Sequence, residues 1–403
     1  MAVRNSQQDN GMNKLPRRIA LMLDLEWPYK RHASVFAGTQ RYAAEQGWES
    51  IVDEYAYDTI PKQRTNSRPY DGIVARATSP LVTRAHKAGI PVVNVWRSSP
   101  VRSELPGVFP DYTAAGRLRA EHLLSRGLRN FGTLGCRGDH AHTLETTEFK
   151  RTVKEAGFFC QQSEVSLSYS KTLAHWRKTE QTISEWMDSW ELPIGVYVGG
   201  DSIGRIVAQK CRERGWRVPE DVAIVAGRNQ ETLCEHPRPS LTSVEIGYER
   251  VGYEAARLLH RMMDGAKVPA APVLIPPEGL VVRESTDFFA VNDDVVAAAL
   301  EFISRNCHRR IGQNDVSRAV CSETRTLQLR FRRVLDRPIA AEIRRVRIER
   351  AKRELSQSER SLSAIARDVG FGEAARMYEV FRRELGVNPT EFRRQRRMTI
   401  QNE

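Results

Sequence analysis

The sequence predicts an α/β domain over residues 16–286 followed by an all-α domain over residues 294–398, and three observations predict it. From Arg17 to Thr286 short apolar runs alternate with helical stretches, the pattern of strands joined through crossover helices into parallel sheets. In the last quarter Phe331-Arg332-Arg333-Val334-Leu335 recurs fifty residues later as Phe381-Arg382-Arg383-Glu384-Leu385, so one small helical unit is present twice. Charge divides the same way: residues 292–403 hold 24 Lys and Arg against 16 Asp and Glu, which places +8 of the chain's +12 in that quarter.

Residues 1–15 are polar and expected to be disordered. Strands are predicted over Ile19–Leu23, Gly72–Ala75, Pro91–Val95, Asn130–Leu134, Gly195–Val198 and Val222–Val225. Helices are predicted over Ser34–Gln46, Ala114–Arg126 and Gly247–Met263. Gly195 through Gly204 is rich in glycine but fits neither phosphate-cradling fingerprint, so no nucleotide site is expected. An α/β segment of this length without such a motif fits a two-lobed binding domain or a barrel.

Residues 287–293 read as a linker. In the second helical unit, Ile365–Val369 forms a short helix that ends at Gly370, because a left-handed turn favours a residue without Cβ. A further helix runs from Glu373 to Leu385, and Gly386 closes it. In each unit an apolar residue four before the Phe (Leu327, Met377) shares its helix face, and a Pro follows (Pro338, Pro389). Helix, glycine turn, helix is the helix-turn-helix pattern, whose second helix enters the major groove of duplex DNA. Of the 24 cations 23 are Arg, which suits forked contact with phosphate or guanine.

At 403 residues the chain exceeds one core, and with 40% hydrophobic and 28% charged residues it is expected to be globular and soluble. No apolar run approaches the roughly 20 residues that span a bilayer. The six cysteines show no paired or Cys/His spacing, so neither zinc nor a disulfide framework is indicated and a reducing cytosol is the simplest setting. No cofactor and no metal site are expected.

Ser363-Ala364-Ile365-Ala366, Gly370-Phe371, Phe381-Arg382-Arg383, Gly386, Pro389 and Phe392-Arg393 resemble the signature region of the AraC-type DNA-binding domain. The resemblance covers residues 294–397, makes Ile343–Leu355 the helix joining the two units, and implies two recognition helices in successive major-groove segments. Two departures stand out. Ser317 and Cys321 replace the Ala and Gly of the first tight turn, which is therefore expected to be strained or reshaped. On the second recognition helix Ala374 and Ala375 stand where polar side chains often reach bases, and Glu379 stands where Arg is usual. Small apolar groups can meet only a thymine methyl and Glu can accept from cytosine, so this helix is expected to read little. The base-contact candidates are Arg325, Thr326, Gln328 and Arg330 on the first helix, and Ala374, Ala375, Arg376 and Glu379 on the second. Arg325 and Gln328 are expected to read most.

Val218-Pro219-Glu220-Asp221-Val222-Ala223-Ile224-Val225, Ser240-Leu241-Thr242-Ser243-Val244 and Leu280-Val281-Val282-Arg283-Glu284-Ser285-Thr286 resemble the sensor domain of LacI/GalR-type regulators, built like the periplasmic sugar-binding proteins. This resemblance decides for a two-lobed, periplasmic-binding-protein-like α/β domain. A sensor of that kind followed by an AraC-type reader is the arrangement of bacterial xylose-operon regulators. It implies a cytoplasmic, sugar-responsive activator of sugar-catabolic genes, a homodimer joined through the sensor, and as partners duplex DNA and a small carbohydrate, pentose or sugar acid.

Sugars are held by amides and carboxylates on their hydroxyls and an aromatic plane against the ring, supplied from strand ends. The candidates are Asp24, Glu26 and Trp27 after the first strand, Arg76 and Trp96 after the next two, Asp201 after Val198, and Arg228 with Asn229 after Val225. Trp176, Trp186 and Trp190 read as core at helical spacing, and His140, His142 and His175 as surface. Arg228 stands where the sensor family commonly has an acid. Either the effector carries an acidic group, or Arg228 pairs with a carboxylate, for which Asp24, Glu26 and Asp201 are the candidates, and the pairing is favoured. Two other classes remain: a constitutive DNA-binding protein with a degenerate sensor, and a glycosidase with paired carboxylates, disfavoured because nothing sets the required carboxylate separation.

Overall fold

The computed structural model describes residues 16–26, 30–62, 68–166, 172–269, 271–288, 291, 293–358 and 360–394, so the expectations for residues 1–15 and for Trp27 lie outside the described residues. The chain divides into two compact units, residues 1–108 with 248–272, and residues 109–247 with 273–403.

The first unit holds β1 (Arg18–Met22), α1 (Lys30–Glu45), β2 (Glu49–Val52), the single turn α2 (Ala56–Thr59), β3 (Gly72–Ala75), α3 (Ser79–Ala88) and β4 (Val92–Asn94). Its sheet has the order β2-β1-β3-β4 and is parallel throughout. Ile19 to Leu21 and Ile73 to Ala75 are wholly buried, as strands covered on both faces must be. The helix Tyr248–Met263 belongs to this unit and packs on α1 at backbone distance. A Cβ on Gly38 would stand 1.8 Å from the Glu249 carbonyl oxygen, and one on Gly252 1.9 Å from that of Val35. Thr39 seals the contact by donating to the carbonyls of Val35 and Gly252.

The second unit continues with β5 (Val108–Pro110), α4 (Tyr112–Ser125), β6 (Asn130–Arg137), α5 (His140–Glu155), β7 (Cys160–Ser166), α6 (Leu173–Asp188), β8 (Ile194–Val198), α7 (Asp201–Glu213), β9 (Val222–Ala226), the turn α8 (Glu231–Cys234) and β10 (Thr242–Glu245). After α9, the Tyr248–Met263 helix already described, come β11 (Val273–Ile275) and β12 (Gly279–Val281). The large sheet runs β12-β10-β9-β8-β6-β7, parallel except for β12 at its edge, and β11 pairs with β5 separately. Trp186 and Trp190 are buried against Ile194, Val207 and Ile224, as expected, whereas Trp176 is about half exposed and corrects the expectation of a core residue. The helical spacing of the three tryptophans is real, but only the last two turns of α6 face the sheet.

Six helices follow: α10 (Asp294–Asn306), α11 (Gln313–Ala319), α12 (Thr324–Leu335), α13 (Ile339–Gln357), α14 (Leu362–Asp368) and α15 (Ala374–Leu385). Asp293 caps α10 by accepting from the amides of Val295 and Val296, Ser361 caps α14 at Ala364, and Gly386 ends α15 in the left-handed conformation. Val296, Leu300, Ile303, Val316, Leu327, Phe331 and Ile343 make one core, and Ile348, Leu355, Ile365, Met377 and Phe381 a second. The two ends of α13 enter different cores, which makes it the joint between the duplicated units.

The duplication is not exact at its turns. The Ser322 amide donates to the Ser317 carbonyl at 3.0 Å and the Phe371 amide to the Ala366 carbonyl at 2.8 Å, an offset of 49 residues, while α12 and α15 begin 50 residues apart. The first turn is thus one residue shorter. Cys321 takes the left-handed conformation at φ 51, and the buried Ser317 hydroxyl has no hydrogen-bond partner among the described residues, so the turn is both strained and reshaped as the substitutions predict.

Candidate functional site

Parallel strands point the same way, so the loops leaving β6, β8 and β9 gather at one edge of the large sheet. After β9 the chain passes through Gly227, whose added Cβ would lie 2.8 Å from the Gly199 carbonyl oxygen after β8, so glycine lets the two loops touch. Asn229 then turns left-handed at φ 52. Asp201, the first residue of α7, anchors this loop: its oxygens accept from the Arg228 amide at 3.1 and 3.2 Å, the Gln230 amide at 3.0 Å and the Ser243 hydroxyl at 3.0 Å. Asn229 is buried, donates its amide NH2 to Glu245 at 2.9 Å and accepts from Arg283 at 2.8 Å. Both residues hold the loop from inside.

The Arg228 guanidinium pairs with Glu145 through two parallel hydrogen bonds, 3.2 and 3.0 Å. The carboxylates named from the sequence are therefore corrected. Asp201 takes the backbone of Arg228, and the side chain goes to an acid on α5, 83 residues away. Glu145 is fully buried and also accepts from Arg119 at 3.2 Å and from the Tyr197 hydroxyl at 2.7 Å. Arg119 lies over the Tyr197 ring at 4.5 Å and donates to the Gly227 carbonyl, while Arg228 lies over the Tyr112 ring at 5.0 Å. Burial alone would raise the Glu145 carboxyl, but Arg228 and Arg119 beside it hold it below the usual carboxylate range. The two guanidinium groups thus share one buried carboxylate, Glu145.

His142, one turn before Glu145 on α5, is buried against Gly199, and this corrects the expectation that it is a surface residue. Burial, with Arg228 nearby, lowers its imidazole, so it stands neutral. Arg119, His142, Glu145, Tyr112 and Tyr197 carry no motif, and helix periodicity alone shows only that some positions of α4 and α5 face inward.

In the first unit Asp24 and Glu26 follow β1, Arg76 follows β3 and Trp96 follows β4, all at the C-terminal edge of the small sheet. Arg76 stacks over the Trp96 ring at 4.1 Å, and the buried Asn94 side chain fixes that loop by accepting from the Trp96 amide at 3.0 Å and the Ala77 amide at 3.3 Å. The Asp24 carbonyl meets the Nδ1 of His32 at 2.6 Å, and Glu26 is exposed. Burial, with Arg31 adjacent, lowers His32 to about 4.

On α12, Arg325 and Thr326 are exposed, Gln328 donates to the Gln313 side chain of α11 at 2.7 Å, and Arg330 pairs at 3.0 Å with Asp293, the cap of α10. Of the two residues expected to read most, Arg325 stands clear of the protein and Gln328 is tied at its side. Leu329, absent from the sequence candidates, is 63% exposed on the same helix. On α15, Ala375, Arg376 and Glu379 are exposed, and Ala374 is half-buried against the second core. Subtracting the repeat offset from Glu379 leads to Leu329, a signal present in the sequence.

Residues 120–286 match the periplasmic binding protein-like domain, and residues 316–395 match a helix-turn-helix domain. The chain is 29% identical to the xylose operon regulatory protein of Haemophilus influenzae, over 93% of this chain and 98% of that one, and 24% identical to its namesake in Escherichia coli K12, over 93% and 96%. Its fold matches the solved structure of the xylose-binding transcription activator, with a TM-score of 0.56 and 22% identity over 94% of this chain and 98% of that one. It also matches a complex of the regulator CelR with cellobiose, with a TM-score of 0.54 and 22% identity over 67% and 85%.

Proposed function

Because this chain belongs to the transcription regulators that join a periplasmic-binding-protein-like sensor to an AraC-type helix-turn-helix reader, we propose that its effector is a neutral pentose of the xylose type and that it activates genes for the catabolism of that sugar. The observation that carries the effector class is the Arg228–Glu145 pair. A free guanidinium would demand an acid, since it binds a carboxylate through two parallel hydrogen bonds and stays charged at any relevant pH. Here those two bonds are made within the protein, to Glu145. What remains for a ligand is the remaining hydrogen-bonding capacity of fixed polar groups beside the Tyr112 ring, which suits hydroxyls and a sugar face.

The candidate contact on the second unit is Arg228, with Glu145 behind it. Asp201 and Asn229 position the loop that carries Arg228. The protein works as a cytoplasmic homodimer joined through its sensor, and the sugar shifts the presentation of the two readers by binding one state more tightly than the other. A ligand that binds only the native state raises its stability by RT ln(1 + [L]/Kd). Thermal unfolding of the full chain with xylose and, separately, with xylonate tests the reading: xylose should raise the midpoint and alter affinity for a bound DNA site. Stabilisation by xylonate alone, abolished by Arg228→Ala, would reverse the effector class. Stabilisation by no sugar would leave a constitutive regulator.

A further inference from the structure

Leu329 is the large apolar side chain left exposed among the described residues of the six C-terminal helices. One exposed leucine is ordinarily unremarkable on a protein surface, so its position must carry the argument. Leu327 and Phe331, both wholly buried, lie two residues to either side of it, each about 200° round the helix from Leu329. Leu329 is therefore at the centre of the face turned away from the core. Arg325 lies one turn before it and Arg333 one turn after, both exposed, so the leucine sits in a row of cations. The register of the repeat gives the same position on α15 to Glu379, also exposed.

We infer that Leu329 is a specificity-determining residue that reads a thymine methyl group in the major groove. The inference rests on α12 entering that groove. Flanking arginines draw the helix onto phosphate and guanine, which brings the central side chain against base edges. Leucine offers no donor or acceptor there, and the apolar feature of the major groove is the C5 methyl of thymine. Burying that methyl against Leu329 favours thymine over cytosine, which lacks it. The first recognition helix thus selects an apolar base edge at the position where the second, through Glu379, presents an acceptor.

The test begins by selecting sites from a random duplex library with the full chain, with Leu329→Ala and with Arg325→Ala. Alanine and leucine are both strong helix formers, and the side chain is exposed, so the first variant keeps its fold, which its melting curve checks. Replacing thymines of the selected site one at a time by uracil removes only the methyl. At one base pair this should weaken the full chain about fourfold, the value of one buried carbon group, and leave Leu329→Ala unaffected. The sites selected by Leu329→Ala should lose thymine at that same base pair. If uracil weakens both proteins equally or neither, the inference fails. It fails too if Leu329→Ala selects the same site but loses activation in a reconstituted transcription assay, because the leucine then contacts a protein. If Arg325→Ala also selects an unchanged site, the fault lies earlier, in the assignment of α12 to the groove.

Discussion

At the scale of single residues, the buried cluster behind Arg228 decides which groups are free to act. Glu145 is wholly inaccessible and holds Arg119, also wholly inaccessible, together with Arg228, whose side chain is 18% exposed. Removing one member of a buried pair leaves an uncompensated charge, at a cost of about 3–5 kcal/mol. Glu145→Gln should therefore lower stability to urea by about that amount. Arg228→Ala should cost clearly less, because Glu145 keeps Arg119 and the Tyr197 hydroxyl. Equal losses in urea melts of the two variants would show that Glu145 does not serve as the common anchor. The sign with pH follows from the lowered Glu145 carboxyl. Its contribution is complete above the unfolded carboxyl value of about 4.3 and is lost as pH falls through the lower folded value. That Arg228 would be paired was legible in the sequence, because a lone cation among candidate acids is improbable chemistry. Glu145 was not, since it is separated by 83 residues and placed there only by the packing of α5 on the sheet.

At the scale of elements, the two helix-turn-helix units show what a repeat makes legible. The Phe-Arg-Arg phrase located α12 and α15 and their buried faces, because helix periodicity and a core position that recurs in both units need no tertiary information. It did not reveal that the first turn is a residue shorter, nor that Gln328 and Arg330 are held by Gln313 and Asp293, since those partners come from other helices. The shorter turn carries a testable defect. Cys321 is exposed and left-handed at φ 51, where a Cβ costs roughly 1–2 kcal/mol relative to glycine. The Ser317 hydroxyl is buried without a hydrogen-bond partner among the described residues, which costs about 1–3 kcal/mol. Restoring the pattern of the second unit, Ser317→Ala with Cys321→Gly, should raise the melting temperature of the protein and leave its DNA site unchanged. In the second unit the opposite change is ruinous: a Cβ on Gly370, at φ 94, would stand 2.0 Å from the Cys307 carbonyl oxygen. If the double variant melts lower than the parent, the strain assigned to the first turn is absent.

At the scale of the whole molecule, the order of sensor and reader was legible because each carries its own composition: apolar strands and few net charges before residue 287, arginine and helical periodicity after residue 293. The chain's return through α9 to complete the first unit follows from no local signal and appears only in the packing of α9 on α1. The apolar clusters support a division near the linker. One reaches from Ala120 to Phe288, and the next begins at Val291 and ends at Val346. Across the junction Arg305 pairs with Asp287 at 3.6 Å, an exposed pair worth little in water. Cleavage between residues 288 and 291 should therefore leave two pieces that each melt cooperatively. The first should keep xylose-dependent stabilisation and dimerise. The second should bind duplex DNA as a monomer, with log affinity falling steeply against log salt as its arginines displace condensed counterions. If the sensor joins two chains as proposed, the dimer supplies the second reader, and the isolated reader should then also lose affinity for a site with two half-sites far more than for one half-site. Sedimentation of the two pieces decides the assembly: a dimer found in the reader and not in the sensor would overturn it, and a sensor piece that fails to melt cooperatively would overturn the division itself.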